Sequence, residues 1–539
     1  VVLWDLQGKE AICGSSAAVP SAGITYAVAF ANNDDKLFFT AGEKTLRIWN
    51  ADIPNRKIRP TECNLGQLKR DVHCIQVSED NQFFYCGTTS GDILIVSVKN
   101  CILKDYGPKK DKYSKGVKMI KYMKNGNMLI GCGDGTVAVV SSAGEKPFRK
   151  IRSMKVEGAV TSIALRGNGH QVCIFVVECH TMSTESCKTK ESFCLFQFFV
   201  GTDSSNMYKF NHDDLSWELI KTSHSSCIND IFFPFEYSDV FGTCSRTEIR
   251  LWNTLTSKEL LRIEVANMKC DAMDIMRNGK SIISGWDDGK IRAFTPKTGK
   301  LQYEIGDAHS KGVTALATTS NSESIVSGGG EGQVRVWNIS GENPKTYKLK
   351  TALKEHKGAV TCIKVKNDDK QCISASADGT CIIWDLENSV RSQIVFANTM
   401  FKAVCYSKDE SQVITAGTDR KIAYWETYDG SLIRELEGST SGSIEGMDIS
   451  MDGEYFVTGG TDKLIKVPGI ESFSYEWEVA MVWKYNKGEV THVGIGHCGD
   501  VQRVKICPRS KYIISVSNDG SVLRWKYPPV LRKCMQPIE

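Results

Sequence analysis

The sequence predicts an all-β protein built from one repeated antiparallel unit. Three observations carry that reading. Apolar strand endings recur at Trp4, Trp49, Val96, Val140, Phe210, Trp252, Phe294, Trp337, Trp384, Trp425, Trp483 and Trp525, and nine of the eleven intervals between them lie between 41 and 47 residues. Each interval holds short runs of period-two alternation separated by Gly, Asp and Asn turns. Helical periodicity is scarce along the whole chain.

The clearest copy, residues 356–385, reads HKGAVTCIKVKNDDKQCISASADGTCIIWD. It gives three strands, a polar turn at Asn367, Asp368 and Asp369, and a tight turn at Asp378 and Gly379. One such unit cannot bury both of its faces, so copies must follow one another around a ring. A Trp-Asp ending at a period of about 40–45 residues is the signature of a WD40 propeller blade. Twelve endings exceed the roughly four to eight blades of one propeller. Two tandem WD40 β-propellers of the seven-bladed type are therefore expected. Residues 212–527 carry the last seven endings and form the C-terminal propeller. Residues 1–211 carry five and form an N-terminal propeller lacking about two blades, that is, about 80–90 residues at this period. The opening VVLWDL reads as the end of a repeat, so the natural N-terminus is expected further upstream. The segment NHDDLSWELIKTSHSSC supplies the outer strand of the next blade and could also be the crossing between rings. After Trp525 two adjacent prolines end the strand, and residues 528–539 read as a tail.

Two intervals are long. In the 70-residue one, residues 172–197 match nothing in the other copies and sit between the first and second inner strands of a blade. In the 58-residue one, TGGTDKLIKV should run straight into Trp, but residues 468–482 intervene and interrupt the strand at Pro468, which has no amide to donate. Both inserts are expected to be irregular and peripheral.

Composition narrows the function. The chain has 539 residues, 41% of them apolar, and 46 glycines, as suits a turn-rich globular protein of two or more domains. With 67 basic and 63 acidic residues the net charge is only +4, which argues against a dedicated nucleic-acid binder. No apolar run approaches the ~18 residues of a membrane span, and no signal peptide is visible. The 20 cysteines are scattered through strand-like runs such as those at Cys132, Cys372, Cys381 and Cys405, which points to buried free thiols in a reducing compartment.

Three copies share a His, a Ser, an acid and the Trp at matching spacings: His309, Ser327, Glu331 and Trp337; His356, Ser374, Asp378 and Trp384; His497, Ser515, Asp519 and Trp525. A hydrolase could be built from such a trio. Its repetition in three copies favours a structural blade staple, in which each buried polar group finds a partner. Other acids hold the same turn slot without the His, at Glu43, Asp134, Asp288, Asp419 and Asp462, and Arg246 replaces the acid in one copy, which should be less tightly stapled or turned to a partner. Cys173, Cys179, His180, Cys187 and Cys194 lack the short spacings of a structural zinc site. GWDDGK at 285–290 is too short for a phosphate-binding loop, and no metalloprotease or nucleophile-elbow motif occurs. Lys109, Lys110, Lys112 and Lys115 read as a solvated loop. No catalytic, cofactor-binding or metal-binding residue is expected, and the sequence does not identify partner-contact residues.

The longer strings SVSNDGSVLRWKYP, YNKGEVTHVGIGH and TAGTDRKIAYWETYDGSLIRELEGS resemble a family of axonemal WD-repeat proteins, the cilia- and flagella-associated proteins. The resemblance implies two seven-bladed propellers and a non-enzymatic role in the lumen of ciliary and flagellar doublet microtubules. It also implies tubulin and neighbouring inner proteins as partners, in the cytoskeleton of the axoneme. The alternative from the residues alone is a soluble cytosolic WD40 scaffold or substrate receptor.

Overall fold

The computed structural model describes residues 1–5, 10–15, 23–123, 126–141, 148–165, 171–173, 194–341, 346–439, 441–461 and 478–527. Among them every regular element is a strand. The chain forms two compact units, Val1–Thr222 and Ser223–Glu539.

The second unit holds seven antiparallel sheets, each made of strands consecutive in sequence. The first sheet is typical: Ile228–Phe232, Val240–Ser245, Glu248–Asn253 and Glu259–Glu264. The burial patterns explain the order. Second and third strands are packed on both faces, as in Val240–Ser245 and Thr380–Asp385, and are therefore nearly all apolar or small. Fourth strands, such as Leu432–Glu437, alternate exposed and half-buried residues, as expected at a solvated edge. The turns are set by residues that accept positive φ; Gly379, at φ +85°, makes the Asp378 turn, a backbone conformation that glycine adopts without penalty.

The innermost strands pack in succession, Ile228–Phe232, Cys270–Ile275, Val313–Thr318, Val360–Val365, Phe401–Tyr406, Ile444–Ile449 and Val501–Ile506, and the last returns to the first. Side chains tie neighbours together. Asp230, Asp274 and Asp448 accept the backbone N–H of Met273, Thr318 and Ile506 at 2.9, 2.8 and 2.9 Å. Ile228, Ile231, Phe241 and Trp252 of the first sheet share a core with Ile514 and Val516 of the seventh, which closes the ring.

The first unit has four sheets, whose innermost strands Thr25–Ala31, Val72–Val77, Val117–Tyr122 and Val160–Leu165 pack in succession. It forms an arc. Tyr26, Val28 and Phe30 on the innermost strand of its first sheet are 44%, 65% and 49% exposed.

Four sequence expectations are corrected. Trp4 stands in no separate sheet among the described residues: Val2–Asp5 pairs with Glu10–Gly14, and Gly14 pairs with Lys57 at the outer edge of Trp49's sheet. The first unit therefore has four sheets where five endings were counted. The first insert is not irregular at its ends: Gln171–Cys173 pairs with Cys194–Thr202, extending a hairpin, while residues 174–193 lie outside the described residues. The second insert is not irregular at its end either. Its last five residues belong to Glu478–Lys484, the third strand of the sixth sheet, so the excess falls in the connection before it; residues 462–477, with Asp462 and Pro468, lie outside the described residues. The break between units falls after Thr222 rather than Asn211, because Trp217–Thr222 pairs with Asn206–Asn211. The tail, 528–539, is outside the described residues.

Candidate functional site

The three polar quartets come together within their sheets. In the third sheet of the ring Trp337 Nε1 donates to Ser327 Oγ at 3.0 Å, Ser327 Oγ lies 2.8 Å from His309 Nε2, and His309 Nδ1 lies 2.6 Å from Glu331. One tautomer uses every hydrogen: indole to hydroxyl, hydroxyl to Nε2, Nδ1–H to carboxylate. Burial pushes the His309 pKa down, against the pull of Glu331.

In the other two quartets a hydroxyl stands between His and acid. His356 Nε2 meets Ser374 Oγ at 2.7 Å and Trp384 donates to the same oxygen at 2.8 Å, but Nδ1 bonds Thr380 Oγ1 at 2.7 Å, and that hydroxyl donates to Asp378 at 2.6 Å. Asp378 also accepts the N–H of Lys357 at 2.6 Å, fixing the loop that carries the His. His497 repeats the arrangement, with Ser515 and Ser521 each at 2.7 Å, Trp525 on Ser515 at 2.8 Å, and Asp519 holding the N–H of Cys498 at 2.9 Å. Burial lowers the pKa of both histidines. Ser327, Ser374 and Ser515 are all 0% exposed, so no substrate reaches a hydroxyl already held between an indole and an imidazole.

A fourth quartet escaped the sequence reading. His224 Nε2 meets Thr243 Oγ1 at 2.7 Å, Trp252 donates to that oxygen at 2.7 Å, and His224 Nδ1 meets Glu248 at 2.8 Å. The acid has moved two residues past the turn slot held by Arg246. The sheet with Arg246 therefore has its own His, Thr, acid and Trp set, where looser stapling or an Arg turned to a partner was expected. Arg250 also reaches Glu248 at 2.8 Å. Burial would raise the Glu248 pKa, but His224 and Arg250 hold it down to about 2. The signal was present: His224 stands 28 residues before Trp252, the spacing of the other three.

The remaining turn acids hold their own turns. Asp134 accepts the N–H of Thr136 at 3.1 Å, Asp419 that of Lys421 at 3.3 Å, and Asp288 that of Lys290 at 3.1 Å together with Arg292 at 2.6 Å. Glu43 accepts Tyr26 Oη at 2.7 Å. The lysine loop is only partly a solvated face: Lys112 reaches the buried Asp92 at 2.8 Å, beside Arg70 at 3.2 Å. Of the cysteine-rich insert, Cys179, His180 and Cys187 lie outside the described residues. Cys132, Cys372, Cys381 and Cys405 are free and buried, and burial raises the pKa of each thiol.

The ring encloses a channel of roughly 350 Å3, with Asp274, Lys364, Asp448 and Lys505 on its wall. Lys505 pairs with Asp448 at 2.7 Å, and Arg503 donates to the Glu445 carbonyl at 2.7 Å. Lys505, Asp448 and Arg503 are thus partnered within the ring. Among the described residues no helix is long and apolar enough to cross a membrane.

Comparison with known proteins agrees with this geometry. A repeat described as "WD domain, G-beta repeat" matches residues 299–338, 347–385, 430–467 and 488–526. Cilia- and flagella-associated protein 52 of Bos taurus is 50% identical over 98% of this chain and 77% of its own length. The human protein of that name is 50% identical over 98% and 78%, and that of Chlamydomonas reinhardtii 40% over 98% and 78%. With Trp-centred hydrogen-bonded quartets in its ring and identity running through both units, the chain belongs to the cilia- and flagella-associated protein 52 family of WD-repeat proteins.

Proposed function

We propose that the chain is a non-enzymatic scaffold of the ciliary and flagellar axoneme, a microtubule inner protein that binds tubulin and neighbouring proteins in the lumen of doublet microtubules and stabilises them. The observation that carries this reading is the 40–50% identity, over 98% of the chain, to proteins named for cilia and flagella in mammals and in an alga. The chemistry supports it. The His, Ser and acid groups that could run hydrolysis are spent on holding sheets together, while the outer strands offer a wide rigid rim. In this reading the histidines, serines, acids and tryptophans of the quartets are structural staples.

We further propose that the first unit is a segment of a propeller like the second, its exposed Tyr26, Val28 and Phe30 face being covered by further sheets of the same kind.

Stepwise extraction of axonemes tests the placement. The protein is expected to stay with doublets through detergent and high salt and to leave only when tubulin dissolves. Release with the soluble matrix would overturn it and favour a cytosolic scaffold or substrate receptor.

A further inference from the structure

We propose that one face of the ring binds a second copy of this chain, face to face, with a basic sector of each copy laid on an acidic sector of the other. The proposal is independent of the axonemal placement.

In each sheet the connection between the first and second strands and that between the third and fourth open on the same face of the ring. Charge is not spread evenly around that face. Among the described residues the second and seventh sheets bring Arg277, Lys280, Lys297, Lys300, Arg509 and Lys511 to it, and no acid. None of the six pairs with a carboxylate among the described residues. Cations elsewhere in the ring are commonly paired: Lys290 with Glu304 at 2.6 Å, Lys421 with Glu435 at 2.7 Å and Lys402 with Glu445 at 3.1 Å. The fourth and fifth sheets bring Asp368, Asp369, Glu387, Asp409, Glu410 and Asp429 to the same face, against Lys366, Lys370 and Lys408. In the ring the second and seventh sheets flank the first, and the fourth and fifth lie opposite it. The face is therefore split across its middle into a positive and a negative half.

Apolar side chains stand in both halves. On the first sheet Phe235, Tyr237 and Leu255 are 40%, 47% and 57% exposed; on the fourth and fifth Val390 is 53% and Tyr428 88% exposed. Both patches are held in shape. The Arg277 guanidinium lies 3.2 Å from the centroid of the Phe235 ring, the Arg509 N–H donates to Ser238 Oγ at 3.0 Å, and Arg524 donates to the Leu255 carbonyl at 2.8 Å. Gln393 Nε2 donates to the Tyr428 carbonyl at 2.8 Å. Surfaces ordered in advance lose little freedom on association, and aromatics set among polar groups are the composition of a protein interface.

Symmetry selects the occupant. A second ring turned over about a two-fold axis along the border between the halves lays positive on negative at two equivalent places. The same rotation brings the Phe235, Tyr237 and Leu255 patch over the Val390 and Tyr428 patch. A nucleic acid or an anionic membrane is negative throughout, and lying flat on this face it would meet the carboxylates of the fourth and fifth sheets. Exposed ion pairs are individually weak and screened by salt, so a dimer in the micromolar range is expected.

Sedimentation of residues 1–539 across the micromolar range tests this. The mass is expected to rise with concentration from 59.8 kDa toward twice that value. It is expected to fall back in roughly 1 M salt, where the Debye length is about 3 Å. Lys280→Glu, Lys300→Glu and Arg509→Glu together turn the positive half negative. Asp368→Lys, Glu387→Lys and Asp429→Lys together turn the negative half positive. All six side chains are exposed, so both triple variants should keep the wild-type melting temperature. Each variant alone is expected to dimerise about tenfold more weakly or worse. An equimolar mixture of the two should restore the dimer, because opposite charges again meet at both places. A wild-type chain that stays monomeric, a dimer that both triple variants leave intact, or a mixture that stays monomeric would overturn the proposal.

Discussion

Val28 and Ile231 occupy the same slot in two sheets, yet one is 65% exposed and the other 2%. Each sits on an innermost strand, opposite a threonine whose hydroxyl accepts the Trp indole: Thr40 for Trp49 and Thr243 for Trp252, both at 2.7 Å. The local chemistry is shared. The difference is the neighbour: Ile231 packs with Ile514 and Val516 of the seventh sheet, while Val28 has no preceding sheet among the described residues. A repeat of this kind is thus only half specified by its own residues, and the rest of its stability comes from the copy beside it.

That contrast is open to direct attack. The largest effect is expected from Ile231→Asp, which buries a carboxylate in the seam of the ring and should cost more than ~4 kcal/mol, enough to unfold the second unit. Val28→Asp in the equivalent slot should change stability by no more than about 0.5 kcal/mol. Chemical denaturation of residues 1–539 followed by Trp fluorescence measures both, and equal effects would show that the Val28 face is already covered within this stretch, against the proposal that further sheets cover it. Glu248→Gln comes next. It removes the charge that His224 and Arg250 share and leaves the buried Arg250 with Glu259 alone, with a loss of about 1–3 kcal/mol, while Arg246→Ala nearby should lie within about 0.5 kcal/mol. If Arg246→Ala were the more damaging, the stapling role of Glu248 would be wrong. Ser374→Ala strands the Trp384 N–H and the His356 ring at once, and should cost about 1–3 kcal/mol. The same loss is expected for Ser515→Ala, read as a lower melting temperature.

The smallest effect is pH dependence. Burial depresses the pKa of His224, His309, His356 and His497. The unfolded chain, with histidine near 6.5, binds protons that the folded ring does not. The stabilisation is therefore complete above about pH 6.5 and is lost as pH falls through the depressed folded values. All four lie in the second unit, so its melting temperature should drop between pH 7.5 and 5.5 while that of the first unit moves less. A uniform response of both transitions would contradict the assignment.

How far the sequence reached depends on the range of the interaction. The beat of apolar endings and three of four quartets were legible, because each is set by spacing inside one unit. His224 was missed because its acid sits at Glu248, two residues from the slot where acids were sought, and its hydroxyl is a Thr. Where Val2–Asp5 sits was not legible, because what a strand pairs with at an outer edge is decided by which edge is free, not by its own pattern.

The seam of the ring joins residues far apart in the chain: Ser223 to Gly520 across 297 positions, and Arg524 to the carbonyl of Leu255 across 269. During synthesis the first sheet of the ring is made long before the seventh exists to cover it. For that interval the Ile231 surface is as bare as Val28's, and it stays so until nearly the whole unit has left the ribosome. Contacts of such sequence separation form late and slowly, and exposed apolar strands invite misassembly meanwhile. The nascent chain should therefore lean on chaperones up to its last sheet, and truncations short of residue 520 should aggregate rather than yield a smaller ring.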